Sequence, residues 1–244
     1  MKTVATIEAR MTSSRLPGKV LMRAAGKPML EHLVNRLKKV QSLNDIVLAI
    51  TTNKADDKLE EFAERMNINC YRGSEIDVMR RVICAAEFAD ADTIVEITGD
   101  CPIIDPQLVE QCISIFGANQ VDYVSNNNIR SYPDGMDTQV YKLSTLKKSA
   151  GMTEDQLDHE HVTLHIRNNP EFFSKINILS PPETHWPNLG LTLDEPRDYE
   201  LLKKIIEYFE PHNPLFSCRE IIALLRERPK WIAINIAVVR KGDT

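Results

Sequence analysis

The first half of the chain alternates short apolar runs with amphipathic stretches, and that alternation leaves few folds open. Val4–Ile7, Ile46–Ile50, a short piece at Cys70–Tyr71 and Thr93–Thr98 each have the length and composition of a strand. Each is followed by apolar residues on one helical face: Leu30, Leu33, Val34 and Leu37; then Leu59, Phe62, Ala63 and Met66; then Val78, Val82, Ile83 and Ala86; then Leu108, Val109, Cys112 and Phe116. Pro28 stands where the first helix would begin, and Asp105-Pro106 has the cap and first-turn chemistry of the fourth. Strand–helix alternation of this kind predicts an α/β fold, a mostly parallel central sheet covered on both faces. In such sheets ligands bind outside the carboxyl ends of the strands. The loops after Ile7, Tyr71 and Thr98 are therefore predicted to converge on one cleft.

The regularity breaks after Val124. Asn126-Asn127-Asn128 and the turn sequence Tyr132-Pro133-Asp134-Gly135 precede a strand-like piece, Met136–Tyr141. A helix carrying Glu160, His161 and His165 follows, then a strand at Lys175–Leu179. This change of pattern predicts an inserted arm over about residues 126–180 within a single domain spanning 1–244. Leu189–Leu193 reads as a strand ending in Asp194, with Pro196 opening a helix to Phe209. Ser217-Cys218-Arg219-Glu220 is a capping box for another helix, and Trp231–Val239 reads as a closing strand.

With 244 residues the chain can bury a sizeable core, and a net charge of −5 argues against a nonspecific nucleic-acid binder. The five cysteines are odd in number, scattered and without a C-x-x-C pair, which fits a reducing cytoplasm rather than a disulfide framework or a zinc site. No cationic start leads into an apolar segment, and no apolar run approaches the ~20 residues that cross a bilayer, so neither export nor a membrane span is expected.

The segment TIEARMTSSRLPGKVL, Thr6–Leu21, is where chemistry is most legible. Arg10, Arg15 and Lys19 place three positive charges in ten residues, hydroxyls from Thr12, Ser13 and Ser14 lie between them, and Pro17-Gly18 forces a turn in which Gly18 can take a positive φ. Charge, donors and close backbone approach together suit a polyphosphate, although neither G-x-x-x-x-G-K-[ST] nor G-x-G-x-x-G is present; taken alone, a solvated basic loop accounts for the segment equally well. Asp100 follows a buried strand between Gly99 and Pro102, and Asp194 sits at another strand end, so the two make a candidate carboxylate pair for nucleotide-bound magnesium; the competing role is helix capping, for which Asp105 and Glu195 are available. Gly73-Ser74 contacts a base or ribose through its backbone, caps the next helix, or does both. Arg80 and Arg81 read as surface helix residues rather than ligands, with one of them able to reach a phosphate, while Asp134, Asp137, Glu160 and His161 are candidates for an acceptor pocket.

Taken in order, TIEARMTSSRLPGKVL, RGSEIDV, EITGDCPIIDP, YPDGMDTQVY, DHEHVTLHIRNNPEFF and LTLDEPRDYELL resemble the cytidylyltransferase family, in its branch of spore coat polysaccharide biosynthesis proteins, related to the synthetases that make CMP-Kdo and CMP-sialic acid. The resemblance implies a three-layer fold of the nucleotide-diphospho-sugar transferase type, CTP as substrate, Mg²⁺ as cofactor and a homodimer built through the arm. It also implies a nucleotide-binding set of Ala9, Arg10, Ser13, Ser14, Arg15, Gly18, Lys19, Gly73, Ser74 and Gly99, with Asp100 and Asp194 on the metal and Lys19, Arg15 and Asp100 serving catalysis. Two positions depart from the branch: Glu8 stands where Gln is common, and Thr12 where Gly is common.

The reaction so implied is transfer of CMP from CTP to an acidic sugar or a phosphorylated small molecule, with release of pyrophosphate. For an acidic acceptor, Arg130 and Arg167 are the available cations. Two other functions fit a chain of this type: a glycosyltransferase, whose D-x-D metal motif would be Asp90-Ala91-Asp92 even though this precedes its strand, and a nucleotide-binding protein without turnover.

Overall fold

The computed structural model describes residues 1–239. In chain order the elements are β1 (Thr3–Glu8), β2 (Arg23–Ala24), β3 (Lys27–Pro28), α1 (Met29–Leu37), β4 (Asp45–Thr51), α2 (Asp57–Met66), β5 (Asn69–Gly73), α3 (Val78–Phe88), β6 (Thr93–Thr98), α4 (Pro106–Ala118), β7 (Tyr123–Ser125), β8 (Gln139–Lys142), α5 (Leu143–Ala150), α6 (Gln156–Glu160), α7 (Leu164–Asn168), β9 (Lys175–Asn177), α8 (Pro196–Phe209), α9 (Cys218–Glu227) and α10 (Pro229–Ile232). Seven strands form one sheet in the order β5-β4-β1-β6-β8-β7-β9. β1, β4, β5 and β6 run parallel, β8 is antiparallel to both β6 and β7, and β7 is parallel to β9.

Strand alternation sorts the core into two layers. Ala5, Ile7, Leu48, Ile50, Val95 and Ile97 point to the face packed by α1, α2 and α4, while Val4, Val47, Ala49 and Ile94 point to the face packed by α3, α5 and α7. The result is the predicted three-layer α/β sandwich. A third apolar cluster, built from α8, α9, Tyr132, Met136 and the chain from Leu189 to Leu193, lies apart from these layers. Of the segment 126–180, β8 and β9 join the central sheet, α5 and α6 pack beside α3, and α7 packs on α5 and α6.

Several expected elements differ from the sequence reading. Leu189–Leu193 forms no strand: Gly190 makes a lone bridge to Asp134, and the neighbouring amides turn to separate partners, Leu191 N–H to the Asp134 carbonyl at 2.7 Å and Leu193 N–H to the Asp100 carbonyl at 2.8 Å. A ladder needs one continuous partner, and this segment is shared between two loops. Trp231–Val239 is not a strand either. Its start is the end of α10, where Trp231 packs edge-on to Tyr208 and Arg228 stacks over both rings, and Asn235 donates to the Gly190 carbonyl and to Asp198. The helix expected to hold Glu160, His161 and His165 is split into α6 and α7 by the left-handed Val162 (φ 43°), a conformation that ends a helix. The strand expected over Met136–Tyr141 begins only at Gln139, and that at Lys175–Leu179 stops at Asn177.

Candidate active site

In the order β5-β4-β1-β6 the chain leaves β1 toward β4 on one side and returns to β6 on the other, so a crevice opens at the carboxyl ends of β1 and β6. The cationic loop leaves β1 there. Its start is tied down by the Met11 N–H, which donates to Asp56 Oδ1 at 2.7 Å, and its end by the Gly18 N–H, which donates to the Met11 carbonyl at 2.9 Å. Gly18 takes φ 70°, the left-handed turn expected of it. The turn delivers Lys19 into the crevice, where its ammonium donates to Asp100 Oδ2 at 3.0 Å and to Asp194 Oδ1 at 2.9 Å. Arg15 reaches the same Asp194 oxygen at 2.9 Å.

The two carboxylates are held from behind. Asp100 is fixed by its own backbone, whose carbonyl accepts from Leu193 N–H, and Asp194 by the buried Asp198, which accepts from the amides of Asp194 and Glu195. Glu195 and Asp198 form the capping box of α8, and Asp105 caps α4, so neither Asp100 nor Asp194 is spent on capping. Burial is the largest influence on Lys19 and would lower its pKa, but Asp100 and Asp194 together hold it above the ordinary lysine value. Burial likewise pushes Asp100 up, and the Lys19 ammonium, with hydrogen bonds, overcomes this and holds it below the ordinary carboxylate value. Lys19 and Asp100 are therefore both charged at neutral pH.

Around this triad lies a pocket of about 400 Å³. Of the residues nominated from sequence, Ala9, Arg10, Ser13, Ser14, Arg15, Lys19, Gly99, Asp100, Asp194, Glu160 and His161 line it; Gly18, Gly73, Ser74, Asp134 and Asp137 do not. Asp134 and Asp137 instead flank Arg130, at 2.9 and 3.7 Å, behind Asp100. Burial, with Asp134 adding to it against the pull of Arg130, raises Asp137 to about 7. Arg130 is thus engaged by carboxylates of its own segment, and Arg167 lies outside the lining, near Glu96.

Arg81 corrects the sequence reading most sharply. Arg80 is exposed as expected, but Arg81 is only 3% exposed and lines the pocket. Its guanidinium donates to the Ser74 carbonyl, and its stem lies so close to Gly73 that a β-carbon there would meet Arg81 Cγ at 3.0 Å. Ser74 is not the cap of α3; that is Asp77, whose side chain accepts from Arg80 N–H, while the Ser74 hydroxyl accepts from Asp77 N–H. The unusual Glu8 also lines the pocket, yet both its carboxyl oxygens are shielded from water and have no hydrogen-bond partner among the described residues. Burial, with a contribution from Glu96 and against the pull of Arg81, raises Glu8 well above the carboxylate range. Thr12, the other departure, donates to Glu75 at 3.2 Å and so ties the cationic loop to the segment before α3.

Asp56 was not singled out from sequence, and neither was His159, which meets Asp77 at 2.9 Å and joins α6 to the start of α3. Asp56 lies only in the polar run after β4, TTNKADD, where nothing distinguishes it from its neighbour Asp57.

Two carboxylates on one cation form a hard-oxygen donor set that suits a divalent ion. Among the described residues no three His, Cys, Asp or Glu side chains form a cage. Two carboxylates with the remaining positions open match magnesium bound with phosphate, which takes one or two protein carboxylates and keeps the rest for phosphate oxygens and water.

Comparison with known proteins identifies the family. The cytidylyltransferase family model matches residues 4–217. The chain is 33% identical to the spore coat polysaccharide biosynthesis protein SpsF of Bacillus subtilis over 97% of each chain. It is 30% identical to the 8-amino-3,8-dideoxy-manno-octulosonate cytidylyltransferase of Shewanella piezotolerans, over 73% of this chain and 66% of that protein. Among solved structures, a cytidylyltransferase from Leptospira borgpetersenii superposes with a TM-score of 0.90 at 32% identity, covering 95% of this chain and 97% of that one. With its strand-end triad, its cationic loop and a family match over most of its length, the chain belongs to the cytidylyltransferase family.

Proposed function

We propose that the protein transfers a CMP unit from CTP to an acidic sugar or a phosphorylated small molecule and releases pyrophosphate, as a step toward a surface-polysaccharide precursor. The observation that carries this reading is the Asp100–Lys19–Asp194 triad beside Arg15, a charge cluster suited to a triphosphate at the mouth of a parallel sheet. An acceptor oxygen forms the new bond to the α-phosphorus as the bond to the bridging oxygen breaks, and both electrons of that bond leave with pyrophosphate; a sugar hydroxyl gives its proton to water, and a phosphate oxygen has none to lose. Lys19 and Arg15 take up the charge on the leaving group, and the Ser13 and Ser14 hydroxyls offer donors to phosphate oxygens. Asp100 and Asp194 would hold Mg²⁺, which when bound neutralises phosphate charge. Glu160 and His161, on the far wall from α6, are assigned to the acceptor.

A glycosyltransferase reading loses its motif. Asp92 lies just before β6 and accepts from Lys2 N–H at 2.7 Å just before β1, which places Asp90-Ala91-Asp92 at the amino ends of the strands, opposite the pocket. We also assign the enzyme to the cytoplasm as a homodimer through the segment 126–180, where Ile129, Phe172 and Leu179 are exposed; the unpaired cysteines support a reducing compartment.

The test is pyrophosphate release from CTP with 3-deoxy-manno-octulosonate, its 8-amino analogue and sugar phosphates as acceptors, with product mass identifying the CMP conjugate. Wild-type protein should turn over at least one of them, and Lys19→Met should lose about a hundredfold in kcat while remaining folded. Release of a free nucleoside diphosphate from a nucleotide sugar, or wild-type turnover by Lys19→Met, would overturn the assignment.

A further inference from the structure

Asp194 hangs on a stretch of chain that no ladder holds, since Leu189–Leu193 forms no strand. What holds it comes from beyond α10. Asn235, only 3% exposed, gives its Nδ2 hydrogens to the Gly190 carbonyl at 2.9 Å and to Asp198 Oδ1 at 2.8 Å. Asp198, fully buried, uses its other oxygen to accept from the amides of Asp194 at 3.3 Å and Glu195 at 3.0 Å. A single carboxamide therefore closes the loop from Gly190 to Asp198, and Asp194 lies inside it. So does Leu193, whose N–H supports the Asp100 carbonyl at 2.8 Å.

The chemistry at position 235 is narrow. Both partners of Nδ2 are acceptors, a carbonyl and a carboxyl oxygen, so the site needs two hydrogens on one atom. Aspartate would set a second carboxyl against Asp198 away from water, and alanine would leave two buried acceptors short of a donor. The flanking residues fix the side chain in place: Trp231, Ile232 and Ile234 pack on the third apolar cluster, and Val238 N–H turns back to the Asn235 carbonyl at 3.0 Å. That turn brings the Val239 carbonyl to 3.4 Å from Arg15 Nη1, while Arg15 Nη2 holds Asp194 Oδ1 at 2.9 Å. Residues 235–239 thus reach both members of the Arg15–Asp194 pair, Asp194 through Asp198 and Arg15 directly.

We propose that Asn235 is a positioning residue for the reaction, clamping the Gly190–Asp198 loop so that Asp194 meets a magnesium–triphosphate with its carboxylate already in place. The inference rests on the proposed reading of Asp194 as a metal-binding carboxylate. Asn235 is not among the residues lining the pocket and acts only through Asp198 and the backbone of Asp194. A carboxylate released from such a clamp must be ordered by its ligand, and that cost is subtracted from binding. The loss falls on the part of the affinity that depends on magnesium, because Asp194 is the group the clamp governs. By linkage, a ligand that requires the clamped loop must in turn hold the clamp closed.

The experiment is calorimetric titration of CTP, with Mg²⁺ and with EDTA, into wild-type protein, Asn235→Ala and Leu225→Ala; the readout is the factor by which Mg²⁺ tightens binding. Leu225 is fully buried in α9, so its truncation destabilises the third cluster without removing a bond of the clamp. Asn235→Ala should cut the magnesium factor by about tenfold, the worth of one hydrogen bond to a carboxyl, whereas Leu225→Ala should melt below wild type and keep the factor. Wild-type protein alone supplies a second measurement, which stands even where Asn235→Ala fails to fold. Amide hydrogen exchange across residues 231–239 should slow when Mg²⁺ and CTP are added together, and slow less with CTP and EDTA. An unchanged magnesium factor in Asn235→Ala, an equal loss in Leu225→Ala, or exchange across 231–239 that does not respond to Mg²⁺ with CTP overturns the positioning role and leaves the cytidylyl function standing. If wild type binds no CTP, or Mg²⁺ does not tighten it, the reading of Asp194 falls and this inference falls with it.

Discussion

Replacing Asp56 by alanine should cost the fold about 3–5 kcal/mol and loosen the cationic loop with it. The side chain is fully buried and accepts three hydrogen bonds: Oδ1 from Met11 N–H at 2.7 Å, and Oδ2 from Thr51 N–H at 2.9 Å and Thr51 Oγ–H at 2.5 Å. Bonds to a carboxylate contribute ~1.5–3 kcal/mol each, and three on one group are not additive, which places the total at or below the low end of their simple sum. In a chain of this length 1 kcal/mol moves the melting midpoint by ~2–4 °C, so Asp56→Ala should melt roughly 6–20 °C below wild type. The functional consequence runs through Met11, because that amide is where the cationic loop is tied to the end of β4. Asp56→Asn is the more informative variant, since it keeps the shape but gives one side of the carboxylate an NH₂ that cannot accept. It should raise the Kd for CTP by about tenfold in calorimetry, with a smaller loss of Tm than alanine. If Asp56→Ala melts within about 2 °C of wild type, the hydrogen bonds carry far less than argued. If Asp56→Asn lowers the midpoint but leaves CTP affinity unchanged, the loop does not depend on this tether.

Two further perturbations test other parts of the structure. Asp100 is held below the ordinary carboxylate value, so the stability it contributes is present above the ordinary Asp range and is lost as pH falls through its depressed folded value, below about 4. In Lys19→Met the ammonium that outweighs burial is gone, so Asp100 loses its depressed value and the acid fall of Tm that it contributes should shrink relative to wild type; an acid limb of unchanged depth would show that Lys19 does not set the charge of Asp100. Gly135 adopts φ 102°, and a β-carbon there would meet the Leu191 carbonyl carbon and oxygen at 2.6 Å. Gly135→Ala should therefore cost about 3 kcal/mol or more and lower the midpoint by at least ~6 °C, and a variant melting like wild type would mean that the Asp134–Leu191 junction is free to move apart.

What the sequence discloses and what it hides divide along the range of the interactions involved. The alternation of strands and helices, the Asp105 cap, the Ser217 capping box and the Gly18 turn are all set within a few residues, and each is found where local pattern puts it. The Lys19, Asp100 and Asp194 cluster was legible for a different reason: each lies at a strand end or in the loop leaving one, and the topology of a parallel sheet brings such places together. Local pattern failed where a segment's partners are remote. Leu189–Leu193 has the composition of a strand, but its amides are claimed by Asp134 and Asp100, so no ladder forms. Trp231–Val239 has β-forming residues, but Trp231 packs on α8 through Tyr208, and Asn235 is claimed by Gly190 and Asp198. Arg81 was hidden in the same way. A helical arginine beside another arginine reads as surface, and only the placement of α3 against β1 and β5 turns one of the two inward, toward Glu8. The same placement explains why an acidic residue can stand at position 8 beside a triphosphate site. Its carboxyl is turned under the pocket wall toward Arg81 and Glu96, where burial favours the uncharged form and so sets less negative charge against the cationic loop.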